Sequence, residues 1–145
     1  MYWIIQTGTS PVYTIQHGGK PPRFSLRALK IGLATSSPHA IIQVVLNKLG
    51  LEHYFDSIQS AEHLAHGKPH PEVYLNCAHD LAISPSQCIA IEDSFNGLIA
   101  ARAANMQTVA IPAFEQQQEP KWIIAHQQLT SLTDLADYLA DKIKT

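Results

Sequence analysis

The stretch from Cys88 to Ile111 constrains the fold of this chain more than any other part of the sequence. A short apolar run at 88–91 is followed by a helical segment of small residues and by a second apolar run at 108–111. Two continuous apolar runs joined by a helix are typical of a βαβ unit whose parallel strands are buried on both faces. The sequence therefore predicts an α/β fold with a right-handed crossover.

Two adjacent carboxylates, Glu92 and Asp93, directly follow the first of these strands. Ligands of open α/β sheets bind beyond the carboxyl ends of the strands, so acid chemistry or metal binding is one interpretation of the pair. The alternative is structural, with Asp93 or Ser94 only capping the helix that follows. This stretch by itself favours neither interpretation.

A second predicted strand, at 30–34, ends in a Thr-Ser-Ser run at 35–37. Ser37 is a good N-cap for the next helix, Pro38 is a good first helical residue, and Gly50 is a good terminator. The free N–H groups and the dipole of a helix N-terminus attract anions, so this loop indicates a phosphate site. Hydroxyl-rich caps are also common where no ligand binds.

Lys68 lies in a loop between two predicted elements, and Pro69 and Pro71 keep the residues before them out of helix. Pro71 then opens a helix with an apolar face. One interpretation is that Lys68 meets an anionic ligand or the carboxylates. The other is a solvated surface position, which is the usual environment of a lysine.

Composition excludes several classes of function. A length of 145 residues suits one domain, and a formal charge of −2 gives no electrostatic case for binding nucleic acid or an anionic membrane. No apolar run is long enough to span a bilayer, and the first residues lack the basic start of a signal peptide. Cys77 and Cys88 form no CxxC motif and fit a core in a reducing compartment, so we predict a cytoplasmic protein.

Residues 1–29 differ from the rest of the chain, because glycines and prolines interrupt every regular pattern in them. Residues 2–6 predict a strand, and a long loop follows it. We therefore divide the chain into an atypical N-terminal segment, 1–29, and a core domain, 30–145.

Three motifs in this order resemble the haloacid dehalogenase (HAD) superfamily of phosphohydrolases. They are KIGLATSSP at 30–38, GKPHPEVY at 67–74 and IAIEDSFNG at 89–97. The last two are similar to those of the sugar-phosphate phosphatases in the superfamily, such as the 2-deoxyglucose-6-phosphate phosphatase group. The resemblance covers residues 30–139 and implies a HAD-type, Rossmann-like three-layer sandwich with a mainly parallel central sheet and no cap domain.

The resemblance also implies roles for individual residues. Thr35 and the Ser36 N–H would bind the phosphoryl oxygens, and Lys68 would neutralise phosphate charge as a point cation. Asp93, with Glu92 beside it, would hold Mg²⁺, which prefers carboxylates and water. Positioning and cations do most of the work in phosphoryl transfer, so these roles are chemically sound. The implied partner is a small phosphorylated metabolite.

One departure from the family pattern bears directly on catalysis. The family's first motif, DxDGT, supplies a nucleophilic aspartate and a general acid/base, and this chain contains no DxD. If Gly8 and Thr9 match the end of that motif, Ile5 and Thr7 stand at the two aspartate positions. Isoleucine can neither attack phosphorus nor transfer a proton. The helical cap domain of the subgroup is also missing.

Three interpretations follow. In the first, the chain is a sugar phosphatase by descent that is inactive or nearly so and binds Mg²⁺ weakly or not at all. In the second, it is a non-catalytic module that binds a phosphate ligand or a protein. In the third, it is a truncated or frameshifted gene product. In the family, the first-motif strand lies between the strands of the second and fourth motifs, and its loss leaves two unpaired edges. We predict that residues 2–6 fill this place as a central parallel strand. The alternatives are a partner's strand, a swapped dimer or an unstable protein.

Overall fold

The computed structural model describes residues 3–6 and 30–143, with side chains over 30–141. In these ranges the strands are β1 (Trp3–Gln6), β2 (Ile31–Thr35), β3 (Ser57–Ser60), β4 (Cys88–Glu92), β5 (Gln107–Ala110) and β6 (Gln127–Gln128). The α-helices are α1 (His39–Leu49), α2 (Glu72–Asp80), α3 (Phe95–Ala103) and α4 (Leu132–Ile143). Short 3₁₀ turns lie at Glu52–Tyr54, Pro85–Gln87, Phe114–Gln116 and Pro120–Ile124.

The strands form one sheet in the order β3-β2-β1-β4-β5-β6. β2 pairs with β3, β4 with β5, and β5 with β6, and each of these pairs is parallel. The βαβ unit predicted within 88–111 is therefore confirmed, and so is the mainly parallel α/β fold. β4 is buried along its whole length, and β5 is buried from Thr108 to Ala110, because helices cover both faces of the sheet.

β1 lies between β2 and β4, the place expected for residues 2–6, but it runs antiparallel to both neighbours. Trp3 is opposite Leu33, near the carboxyl end of β2, and Ile5 is opposite Ile31 at the start of that strand. The prediction of a parallel strand is therefore wrong. A short strand in either direction can satisfy the backbone groups of both neighbours, so the need for pairing does not determine its direction.

Helices pack on both sides of the sheet. α1 covers β2 by packing Ile42 and Leu46 against Leu33, and α4 covers β4 and β5 on the same face through Leu135 and Leu139. α2 and α3 cover the other face. The buried members of that second core are Ala34, Val73, Tyr74, Cys77, Ala78, Leu81, Cys88, Ala90, Ala100, Ala101, Ala104 and Met106.

Cys77 and Cys88 are both free and buried in this second core, as expected for small core residues. Burial raises the pKa of each thiol to about 11, so both are protonated near neutral pH. Within 3–6 and 30–143, no helix is both long and apolar enough to cross a bilayer.

The two ends of α1 differ in how well they follow the sequence signals. Gly50 ends the helix with a left-handed φ of 67°, as predicted. The predicted N-cap, Ser37, is wrong, because the N-cap residue is Pro38 and makes no side-chain cap hydrogen bond. Ser37 belongs instead to a turn in which its N–H donates to Thr35 Oγ1 at 3.1 Å.

Candidate functional site

Three of the predicted site elements meet at the carboxyl edge of the sheet. Thr35 ends β2 and Glu92 ends β4, and the loop before α2 carries Lys68 to the same edge. β1 separates β2 from β4, so the Lys68 side chain reaches across the end of that strand. This edge is where ligands of open α/β sheets bind.

Lys68 joins β2 to β4. Its Nζ donates to the Ala34 carbonyl oxygen at 3.2 Å and to Glu92 Oε1 at 2.8 Å, and its side chain is 4% exposed. The Tyr74 hydroxyl oxygen lies 3.1 Å from Nζ, and the centre of the Tyr74 ring lies 4.7 Å from it. The interpretation of Lys68 as a solvated surface residue is therefore wrong. Its buried charge is satisfied by oxygen atoms from three different elements of the fold.

Glu92 is the buried counter-ion of Lys68, and its side chain has no exposed surface. Oε1 accepts hydrogen bonds from Lys68 and from the Tyr74 hydroxyl. Oε2 accepts from the hydroxyl of Ser94 at 3.0 Å and from its N–H at 3.4 Å. Burial raises the pKa of Glu92 to about 7 against the opposing effect of Lys68 and Ser94, and burial lowers the pKa of Lys68.

The start of α3 is built around the same carboxylate. Ser94 Oγ accepts the Gly97 N–H at 3.1 Å and caps the helix, so the structural interpretation of this stretch holds for Ser94. A Cβ at Gly97 would overlap the carboxylate of Glu92. This role of Gly97 was not predicted from the sequence. The signal for it was a glycine in the first turn of a helix that directly follows a buried acid.

The loop at 35–37 is held by its own hydroxyl group and by the end of β3. Thr35 Oγ1 accepts the Ser37 N–H, which leaves the hydroxyl proton of Thr35 for another acceptor. Ser60 Oγ donates to the Ser37 carbonyl oxygen at 2.7 Å, and the Ala61 N–H donates to that of Thr35 at 2.8 Å. A cavity of about 240 Å³ opens beside this loop, between β2 and α1.

Asp93 is exposed and follows Glu92 at the same edge. In the part of the chain that the structure describes, no group of three or more His, Cys, Asp or Glu side chains could hold a metal ion. Both oxygens of Glu92 already accept hydrogen bonds, so Asp93 is the one exposed carboxylate of this pair. Magnesium in proteins is usually bound by one or two carboxylates together with water and substrate phosphates, so Asp93 by itself would hold the ion weakly. The metal-binding roles of Asp93 and Glu92 remain predictions.

Ile5, the described residue among those aligned with the first motif, does not lie at this edge. Because β1 runs antiparallel, it begins near the carboxyl ends of β2 and β4 and proceeds away from them. Ile5 is therefore opposite Ile89, near the amino end of β4. Thr7, Gly8 and Thr9 lie outside the described residues.

Glu62 is a further polar residue at this edge, and it was not predicted from the sequence. Its Oε2 accepts the N–H of His39 at 2.9 Å, and its side chain is 32% exposed. Imidazole nitrogens of His39 and His63 lie 3.3 and 3.9 Å from the same oxygen. The N–H of His39 lowers the pKa of Glu62. No local pattern marks Glu62, because its partner lies 23 residues away and it sits in an irregular turn.

Comparison with known proteins places these observations in a family. Residues 24–105 match the family model of the haloacid dehalogenase-like hydrolases. Hexitol phosphatase B of Escherichia coli strain K12 is 45% identical over 109 residues, which are 75% of this chain and 49% of that protein. Fructose-1-phosphate phosphatase YqaB of the same strain is 39% identical over 95 residues, which are 66% of this chain and 46% of that protein. The chain thus spans about half the length of the curated relatives it matches.

Solved structures show the same relationship. β-Phosphoglucomutase from Clostridium difficile is 36% identical, with a TM-score of 0.67 over 79% of this chain and 49% of that chain. CbbY from Rhodobacter sphaeroides in complex with phosphate is 28% identical, with a TM-score of 0.65 over 72% of this chain and 47% of that chain. The similarity extends to about half of each of these proteins.

Proposed function

This chain belongs to the haloacid dehalogenase-like hydrolase family, and we propose that it binds the phosphoryl group of a small phosphorylated sugar. Two of the relatives named above are a hexitol phosphatase and a fructose-1-phosphate phosphatase. The observation that carries the proposal is the position of Lys68, whose ammonium group joins the carboxyl ends of β2 and β4. That position lies beside the hydroxyl-rich loop at 35–37.

Each residue of the site has a defined task in this proposal. The Thr35 hydroxyl and the Ser36 N–H donate hydrogen bonds to phosphoryl oxygens, and Lys68 supplies a fixed cation. Glu92 and Tyr74 hold the ammonium group in place before the ligand arrives, so little side-chain freedom is lost on binding.

We further propose that the chain does not turn its ligand over by a covalent route. The sequence contains no DxD, and the direction of β1 leads Ile5 away from the site edge. Among the described residues, Glu92 is occupied by Lys68, and Asp93 is a single exposed carboxylate. No step of the proposal runs through magnesium, because Asp93 by itself would hold that ion weakly. We also propose a cytoplasmic location, which the two free thiols of Cys77 and Cys88 support.

Calorimetric titration with a hexitol phosphate, fructose 1-phosphate and inorganic phosphate tests binding. We expect dissociation constants on the order of 1 mM for the wild type and no detectable binding by Lys68→Ala. Lys48→Ala is the matched control, because Lys48 is exposed in the last turn of α1, at the opposite edge of the sheet. Equal affinities in the two variants would contradict the proposal.

A phosphate-release assay on the same sugar phosphates tests the absence of turnover. We expect no release above the buffer blank, because no group in the proposed site attacks phosphorus. Release by the wild type that Lys68→Ala abolishes would show that the chain is a catalyst.

A further inference from the structure

The N-terminus of α1, beside the loop at 35–37, is capped from outside the helix. The N-cap residue Pro38 makes no side-chain cap hydrogen bond, and the first turn contains no acidic residue. The turn after β3 supplies the cap, because Glu62 Oε2 accepts the His39 N–H at 2.9 Å. A carboxylate of this chain therefore occupies the position at which a helix N-terminus otherwise attracts an anion.

The same turn determines how the loop is oriented. The Ala61 N–H donates to the Thr35 carbonyl oxygen at 2.8 Å, which draws that carbonyl toward β3. The C=O and N–H of one trans peptide point in opposite directions, so the Ser36 N–H is directed to the other side of β2. Lys68 crosses from β2 to Glu92 on that side. The turn after β3 thus directs a donor toward the proposed phosphoryl position.

Ser60 strengthens this arrangement from a buried position. Its hydroxyl donates to the Ser37 carbonyl oxygen at 2.7 Å and accepts the Glu62 N–H at 3.0 Å. The residue is 8% exposed, so water competes little for these hydrogen bonds. Ser60 consequently links the loop at 35–37 to Glu62, the residue that caps α1.

We propose that Ser60 and Glu62 are positioning residues for phosphate binding, and that the charge of Glu62 restricts the site to ligands with a single phosphoryl group. This inference rests on the proposed phosphate-binding function. Ser60 orients the loop, and Glu62 holds the start of α1 while presenting a negative charge there. A second phosphate group of a ligand, placed at the N-terminus of α1, would meet the Glu62 carboxylate instead of free N–H groups. The repulsion between the two negative charges would favour ligands with one phosphoryl group.

Two substitutions of Glu62 separate its charge from its hydrogen bond. Glu62→Gln keeps an oxygen acceptor for the His39 N–H and removes the charge, whereas Glu62→Ala removes both. At about pH 8, we expect Glu62→Gln to bind pyrophosphate about threefold more tightly than the wild type. This gain should vanish in about 0.5 M NaCl, because salt screens the charge. We expect Glu62→Ala and Ser60→Ala to bind inorganic phosphate about fivefold more weakly.

Glu52→Gln is the matched control, because it makes the same change of charge in the 3₁₀ turn that precedes β3, at the opposite edge. It should bind both ligands as the wild type does. Pyrophosphate affinities that are equal in Glu62→Gln and Glu52→Gln would overturn the role of the charge. Unchanged phosphate affinity in Glu62→Ala would overturn the positioning role. The same conclusion would follow if Glu62→Ala and Glu62→Gln lost equal phosphate affinity and the loss matched a decrease in their melting temperatures.

The wild-type titration separates the two levels of the proposal. A wild type that binds no inorganic phosphate contradicts the proposed function, and the present inference with it. If the wild type binds phosphate and the Glu62 variants bind phosphate and pyrophosphate as tightly as the wild type does, only the present inference is contradicted. Circular dichroism checks the fold of each variant. If Ser60→Ala does not fold, the Glu62 variants alone test the positioning role.

Discussion

The carboxylate of Glu92 lies directly against Gly97, so that no side chain can be added at Gly97 without overlapping it. Glu92 cannot swing aside, because Lys68 and Ser94 hold one carboxylate oxygen each. The first turn of α3 is therefore coupled to the buried ion pair of the proposed site.

Gly97→Ala is expected to lower the free energy of unfolding by about 3 kcal/mol, because the new methyl group displaces a carboxylate that is fixed on both sides. Urea unfolding followed by circular dichroism measures the change. Gly67→Ala is the matched control, since a Cβ at Gly67 meets no atom within 4 Å, and it should change stability by less than about 0.5 kcal/mol. Similar losses in both variants would contradict the coupling.

Lys68→Met is expected to destabilise the protein by about 3 kcal/mol at pH 8, because it leaves a buried carboxylate without its counter-ion. At pH 5 the loss should be smaller, since Glu92 takes up a proton and the uncompensated charge disappears. Lys48→Met, at an exposed position, should have little effect at either pH. Urea unfolding of both variants at the two pH values measures these losses, and a loss for Lys68→Met that does not change with pH would contradict the pairing.

The unfolding free energy should depend on pH through Glu92. Its pKa is raised from 4.5 to about 7 in the folded protein, so the folded state binds more protons than the unfolded state between these values. The contribution of Glu92 to stability therefore falls as the pH rises through this window, by up to about 3 kcal/mol. Glu92→Gln lacks this fall. The unfolding free energies of the wild type and of Glu92→Gln, measured as a function of pH, give this fall as their difference. The same pH dependence in both proteins would contradict the raised pKa of Glu92.

Aspartates introduced at Ile5 and Thr7 are not expected to create phosphatase activity. Because β1 runs antiparallel, Ile5 lies opposite Ile31 and Ile89, at the far ends of the strands that carry the site. A phosphate-release assay on the double variant checks this. Turnover that depends on both aspartates would show that β1 runs in the parallel direction.

Magnesium is expected to change the affinity for inorganic phosphate by less than about twofold, because Asp93 is a single exposed carboxylate and Glu92 is occupied by Lys68. Titrations with excess magnesium and with a chelator make the comparison. Asp93→Asn should respond in the same way as the wild type. Binding that requires magnesium in the wild type but not in Asp93→Asn would show that Asp93 holds the ion.

The polypeptide's own sequence determined the features that depend on neighbours along the chain. The apolar runs around α3 predicted parallel buried strands, and Gly50 marked the end of α1, because burial patterns and backbone conformation are local properties. The strand ends at Thr35 and Glu92 lie at one edge, since the carboxyl ends of parallel strands lie together.

Only the tertiary structure decided the direction of β1 and the partners of Lys68 and Glu62. The direction of β1 follows from pairing with strands that are distant in sequence, and either direction satisfies the backbone hydrogen bonds. Lys68 is buried because it meets a carboxylate 24 residues away, and Glu62 caps a helix that begins 23 residues before it. Such contacts depend on how the elements pack, and no spacing in the sequence encodes them.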